Sequence, residues 1–213
     1  MSLSQIAIIE DQSLLRDLLH DVLHQRGPYS VVGTAATIEE GLRLCTEHPV
    51  SIIISSWQLP DGTALELIRR LAARLNSTRI LMLTGNENEG IVRTAAENGV
   101  HGFVSKRQPL PIFLEAVAAL HTGNCYYCPT SSRMLVDAMK LPPSPSTASL
   151  TPREWQILRT LAEGHSTRDI ARRLHLSPKT VANHITSLKD KLGIQEPAGL
   201  VRFALKNGLV EMP

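Results

Sequence analysis

The residues best suited to chemistry lie in the stretch SPKTVANHITSLKDKLG, residues 177–193. Ser177 can cap a helix that starts at Pro178, and Gly193 can end it. A helix of that length is about 22 Å long, enough to lie in a DNA groove. Lys179 and Thr180 near its start, and Lys189 and Lys191 near its end, can reach phosphates. Arg168, Arg172 and Arg173 fall in a preceding short helical stretch and can hold a flanking backbone. No other constellation has the spacing of a catalytic motif: G-x-S-x-G, H-E-x-x-H and Walker loops are absent, so neither an enzyme nor a cofactor is expected. Cys125 and Cys128 form a C-x-x-C, but no second pair of ligands lies near them in sequence. They read as incidental thiols near a helix end.

Elements must position those residues, and the chain falls into two patterns. Over the first 125 residues, short apolar runs at 6–9, 29–33, 51–55, 79–84 and 102–106 alternate with stretches of helical period. Leu14, Leu15, Leu18, Leu19, Val22 and Leu23 make one apolar helical face; Ala64, Leu65, Leu67, Ile68 and Leu71 make another. A third runs through Leu114, Val117, Ala118 and His121. Runs so uniformly apolar suit a parallel sheet covered on both faces. The expectation is a five-stranded doubly wound α/β domain over residues 1–125, with its functional groups at the carboxyl ends of the strands. Residues 126–149 are expected to hold a short helix and a linker: LPPSPSTAS, 141–149, has three prolines and three serines and cannot form a core.

Residues 150–213 carry only helical patterns. Thr151, Pro152 and Glu154 form a capping signature for a helix ending at Gly164. Ser166 to Leu174 makes a second helix, joined through His175-Leu176 to the helix capped by Ser177. Pro197 opens a fourth, ending near Asn207-Gly208. Two helices joined by a tight turn, the second capped and basic, are a helix-turn-helix. The charge divides with the pattern. Residues 141–213 hold 10 Lys/Arg against 6 Asp/Glu, whereas 1–140 hold 12 against 14, as expected if the second part binds phosphates. No apolar run approaches the roughly 20 residues of a membrane span, and the N-terminus lacks a basic signal-peptide start. A cytoplasmic protein with no membrane partner is expected.

This second part resembles the DNA-binding domain of the LuxR/NarL/FixJ transcription regulators. The matching residues are Thr151, Arg153, Glu154, Leu158, Leu161, Glu163-Gly164, Ile170-Ala171, Leu174, Ser177, Thr180-Val181, His184 and Lys191-Leu192. The resemblance implies that the third helix enters the major groove of double-stranded DNA and that the fourth supports a homodimer. RNA polymerase or a regulatory protein is a further expected partner. The outward positions Ala182, Asn183 and Thr186 are expected to face bases, Asn183 an adenine and Thr186 a thymine methyl. The family often has lysine where Ala182 and Thr186 stand, so its target sequence does not carry over.

The first part resembles the receiver domain of two-component response regulators. Glu10-Asp11 follow strand one, Leu59-Pro60-Asp61-Gly62 follow strand three, Thr84 ends strand four and Lys106 follows strand five. The resemblance implies that two acids and a third carboxylate hold Mg²⁺ and that the third, an aspartate, accepts a phosphoryl group. Thr84 and Lys106 would bind its oxygens, with an aromatic near Phe103 reporting the change. Counting back from Pro60, the acceptor position is Ser56, and its neighbour Ser55 is also serine. A hydroxyl cannot form an acyl phosphate and offers Mg²⁺ a neutral ligand. The expectation is therefore a DNA-binding regulator with an atypical, phosphorylation-independent receiver and no metal. Two other readings stay open: a phosphoswitch with an engineered Ser56 or a displaced acceptor, Asp61 being nearest, and a protein-interaction adaptor.

Overall fold

In the computed structural model, which describes residues 3–72, 77–85, 89–139, 150–207 and 209–210, the chain forms two compact units, Met1–Asp137 and Ala138–Pro213. The expected linker, 141–149, and Gly208 lie outside the described residues.

The first unit alternates strand and helix: β1 (Ser4–Ile9), α1 (Ser13–Gln25), β2 (Tyr29–Ala35), α2 (Ile38–Glu47) and β3 (Ile52–Ser56). A two-residue ribbon of β4 (Gln58–Leu59) and β5 (Gly62–Thr63) follows, then α3 (Ala64–Leu71), β6 (Arg79–Thr84), α4 (Glu89–Glu97), β7 (Gly102–Ser105) and α5 (Leu110–His121). β8 (Tyr126–Tyr127) and α6 (Pro129–Met139) complete it. The main sheet runs β2-β1-β3-β6-β7-β8, and every neighbouring pair in it is parallel.

Alternate residues of the central strands feed two apolar layers, which explains the unbroken apolar runs. Ile6, Ile8, Ile52, Ile54, Leu81 and Leu83 pack with Leu19 and Leu23 of α1 and with Phe113, Val117 and Leu120 of α5. On the other face Ile80, Met82 and Phe103 join Trp57 and residues of α3 and α4, while Ile9 and Ile53 meet α2 and α3. Trp57 is buried, and among the described residues its indole Nε1 has no hydrogen-bond partner.

Two features depart from the expected five strands ending at residue 125. The sheet has a sixth strand, because Tyr126 N donates to His101 O at 2.9 Å and extends the ladder beyond β7. Tyr127 anchors it by donating its hydroxyl to Val100 O at 2.7 Å. With α6, which sends Met134 and Leu135 onto the sheet's apolar layer, β8 carries the first unit past residue 125. The two cysteines flank this strand: Cys125 is exposed and Cys128 buried with its Sγ 3.1 Å from Ser131 Oγ, and both are free thiols.

The second unit is helical: α7 (Pro152–Ala162), α8 (Thr167–Arg173), α9 (Pro178–Leu192) and α10 (Pro197–Lys206). Thr151 and Glu154 form a capping box on α7, and the Ser166 and Ser177 side chains cap α8 and α9. The turn between α8 and α9 needs one left-handed residue, and His175 supplies it at φ 52°, a conformation few side chains other than glycine adopt readily. Gly193, at φ 64°, ends α9. Trp155, Ile157, Leu158, Ile170, Val181, Leu188, Leu192, Leu200 and Phe203 form the core.

Candidate functional site

Strand order reverses between β1 and β3, so the crevice at their carboxyl ends is where this architecture places its chemistry. Glu10 follows β1 there and is fully buried. Its carboxylate accepts from Lys106 Nζ at 2.9 Å, from the Gln12 amide at 3.0 Å and from Ser56 Oγ at 3.1 Å. Ser56 ends β3 and is itself 2% exposed. Lys106 is held in register by its amide, which donates to Thr84 O at 2.7 Å. Arg16 Nη1 donates to the Glu10 carbonyl at 2.6 Å. Of the expected pocket residues, Glu10, Ser56 and Lys106 come together, while Thr84 is buried at the end of β6 and Phe103 is buried in β7.

Asp11 does not join that cluster; it is exposed. Asp61, the nearest alternative acceptor in sequence, is engaged at the start of α2. Its two carboxylate oxygens accept from the amides of Ile38 and Glu39, at 2.8 and 3.1 Å, and so cap the start of α2. Among the described residues no three His, Cys, Asp or Glu side chains gather as a metal-holding group. Mg²⁺ asks for an octahedral shell of oxygens, several of them charged. Among the described residues the one carboxylate buried there, Glu10, is already matched by Lys106, so this donor set does not fit that ion.

In the helical unit, Lys179, Ala182, Asn183 and Thr186 are all exposed and fall on one stripe of α9. Thr180 and Lys189 are half-buried at its flanks. Thr180 belongs to the cap, its hydroxyl 2.8 Å from Ser177 Oγ, and Thr186 Oγ1 donates to Ala182 O at 3.2 Å. Asp190 is exposed on the same stripe, an acidic member that a search for cations does not find. On α8, Arg168, Arg172 and Arg173 are exposed. Arg172 is paired with Asp169, whose carboxyl is held below its usual range by hydrogen bonds from Ser166 and then Arg172. Arg168, Arg173, Lys179 and Lys189 make no ion pair among the described residues.

Lys191, expected to reach phosphate, is paired within the unit. Its Nζ lies 2.8 Å from Glu154 Oε2, and Ser187 Oγ donates to Glu154 Oε1 at 2.8 Å. Burial alone would raise the Glu154 carboxyl. The hydrogen bonds from Lys191, from the Thr151 amide and hydroxyl, and from Ser187 outweigh it and bring the pKa down to about 2. Arg153 adds a second tie across the unit, with Nη2 donating to Leu174 O at the end of α8 at 2.7 Å.

An α/β unit with a lysine–carboxylate crevice, followed by a helix-turn-helix unit, defines the two-domain response-regulator class. Residues 6–118 match the family model "Response regulator receiver domain" and residues 148–204 match "Bacterial regulatory proteins, luxR family". The chain is similar to the probable transcriptional regulatory protein SgaR of Hyphomicrobium methylovorum, at 34% identity over 91% of this chain and 89% of that one. It is also 32% identical to the transcriptional activator protein ExaE of Pseudomonas putida, over 97% and 98% of the two chains. Its fold matches that of the Salmonella typhimurium RcsB response regulator with a TM-score of 0.66 at 24% identity, covering 97% of this chain and 99% of that one. The chain belongs to the LuxR-family response regulators, transcription factors with a DNA-binding domain. Among the described residues, no helix is long and apolar enough to cross a membrane.

Proposed function

We propose that this protein regulates transcription as a DNA-binding homodimer whose receiver works without phosphorylation. The observation that carries this reading is the closed cluster at the acceptor position. Ser56 donates to Glu10, and Glu10 is paired with Lys106. One carboxylate and one ammonium already balance, so the pocket stands without an added cation. The lysine that would meet phosphoryl oxygens is committed to an internal partner. A hydroxyl at position 56 offers no route to an acyl phosphate. Asp61, which caps α2 with both oxygens, is ill placed to substitute.

On the helical unit, α9 lies in the major groove with Asn183 and Thr186 facing bases and Ala182 leaving room beside them. Lys179, Thr180, Lys189, Arg168 and Arg173 contact phosphates, and Arg172 does so in exchange for Asp169. A solved relative, the two-component response regulator RcsB, forms a complex with DNA, which supports the same use of this fold here.

The test is intact-protein mass after incubation with acetyl phosphate and Mg²⁺, with duplex affinity measured before and after. We expect no added phosphate and the same affinity in both states. A base-labile phosphate on an aspartate, with a change in affinity, overturns the phosphorylation-independent reading.

A further inference from the structure

Resting on the DNA-binding reading, we infer that Glu154 sets the pose of α9 through Ser187 and Lys191, which makes Lys191 a positioning residue instead of a phosphate contact. Glu154 sits in the first turn of α7 and is 3% exposed. One of its oxygens accepts from Ser187 Oγ at 2.8 Å. The other accepts from the Thr151 amide at 2.8 Å, from Thr151 Oγ1 at 3.0 Å and from Lys191 Nζ at 2.8 Å. The carboxylate is therefore fixed to its own helix through the cap and to α9 through two side chains one turn apart.

Two attachments one turn apart determine both the rotation of a helix about its axis and its position along it. The apolar contacts of Val181, Leu188 and Leu192 with the core drive α9 onto α7 but have little directionality. Charge-assisted hydrogen bonds do have it. Rotation matters because Lys179, Ala182, Asn183 and Thr186 form one stripe beside the Ser187–Lys191 edge. A recognition constellation tolerates deviations of only about 10–20° before its geometry fails. The same pairing removes a charge from the DNA-facing inventory: the ammonium of Lys191 is matched by a buried carboxylate, so its transfer to a phosphate would leave Glu154 uncompensated.

The experiment uses the full chain and a labelled duplex carrying a sequence selected from random DNA, with affinity measured over a salt series. Lys191→Met should weaken binding by about tenfold at every salt concentration, a coupling typical of residues in one network. The slope of log affinity against log salt should stay as in wild type. Lys191→Arg, which keeps the ion pair, should recover binding to within about twofold, and Ser187→Ala should lose about threefold. Lys179→Ala is the comparator, lowering the slope by about one. Circular dichroism at the assay temperature checks that each variant is folded.

A fall in slope for Lys191→Met equal to that of Lys179→Ala makes Lys191 a phosphate contact and overturns the inference. So does a lowered melting temperature with unchanged affinity, which would leave the cluster with a role in stability alone. A wild-type chain that binds no duplex overturns the DNA-binding reading itself and the inference with it; the other outcomes bear on the inference alone.

Discussion

Both units bury a glutamate and satisfy it with a lysine and a serine, Glu10 with Lys106 and Ser56 in one, Glu154 with Lys191 and Ser187 in the other. The two clusters differ in where they stand. The first occupies the carboxyl ends of β1, β3 and β7, the place at which a receiver would do its chemistry, and fills it. The second stands behind the exposed stripe of α9 and leaves that stripe free. The first is also the more enclosed, with Lys106 at 15% side-chain exposure against 35% for Lys191. The same set of side chains lies inside a crevice in one domain and beside an exposed surface in the other.

Removing the lysine from the enclosed cluster is the strongest way to break the comparison. Lys106→Met leaves a buried carboxylate without its counter-charge, which costs about 3–5 kcal/mol. Urea unfolding followed on the α/β unit should show a large drop in midpoint. A drop no greater than that of Lys191→Met would mean that enclosure does not distinguish the two clusters.

Acid sharpens the comparison from the other side. Because the folded pKa of Glu154, about 2, lies below the unfolded carboxyl value, its contribution is fully present above roughly pH 4.5 and fades as pH falls toward 2. A depression of that size corresponds to roughly 3 kcal/mol of stability in the helical unit. Melting curves between pH 5 and pH 2 should follow this loss, and Glu154→Gln should flatten the dependence. An identical slope in that variant would assign the acid sensitivity to other carboxyls.

The smallest effect expected belongs to the stripe that the second cluster supports. Asn183→Ala should cost about 1–3 kcal/mol on the preferred duplex and little on others. Repeating the selection from random DNA should show relaxed preference at one base pair. An unchanged motif would mean that the outward face of α9 does not read bases through Asn183.

Much of this architecture is legible in local sequence. Apolar runs at residues 6–9, 52–54 and 80–83 encode strands buried on both faces, and Thr151, Ser177 and Gly193 mark helix ends through interactions within a few residues. What escapes is whatever depends on partners distant in the chain. β8 is two residues long, too short for any periodicity, and exists because β7 offers an unpaired edge. The bond between Lys191 and Glu154 spans 37 positions, so a lysine in a basic helix gives no local sign that its charge is paired with a buried carboxylate. Asp11 and Glu10 are adjacent and chemically alike. Only the packing of β1 against β3 and the loop carrying Lys106 decides that Glu10 is buried and Asp11 exposed.

The burial of Trp57 has a practical consequence, because the chain has only two tryptophans. Trp57 is in the α/β unit at 2% exposure and Trp155 in the helical unit at 6%. Each buried indole moves into water when its own unit opens, so the emission of the intact chain is a sum of two reporters. Trp57→Phe would leave Trp155 as the sole emitter. Trp155→Phe gives the complementary probe. With the pair, the opening of the domain that carries the filled crevice can be followed separately, in time and in denaturant, from that of the domain that binds DNA.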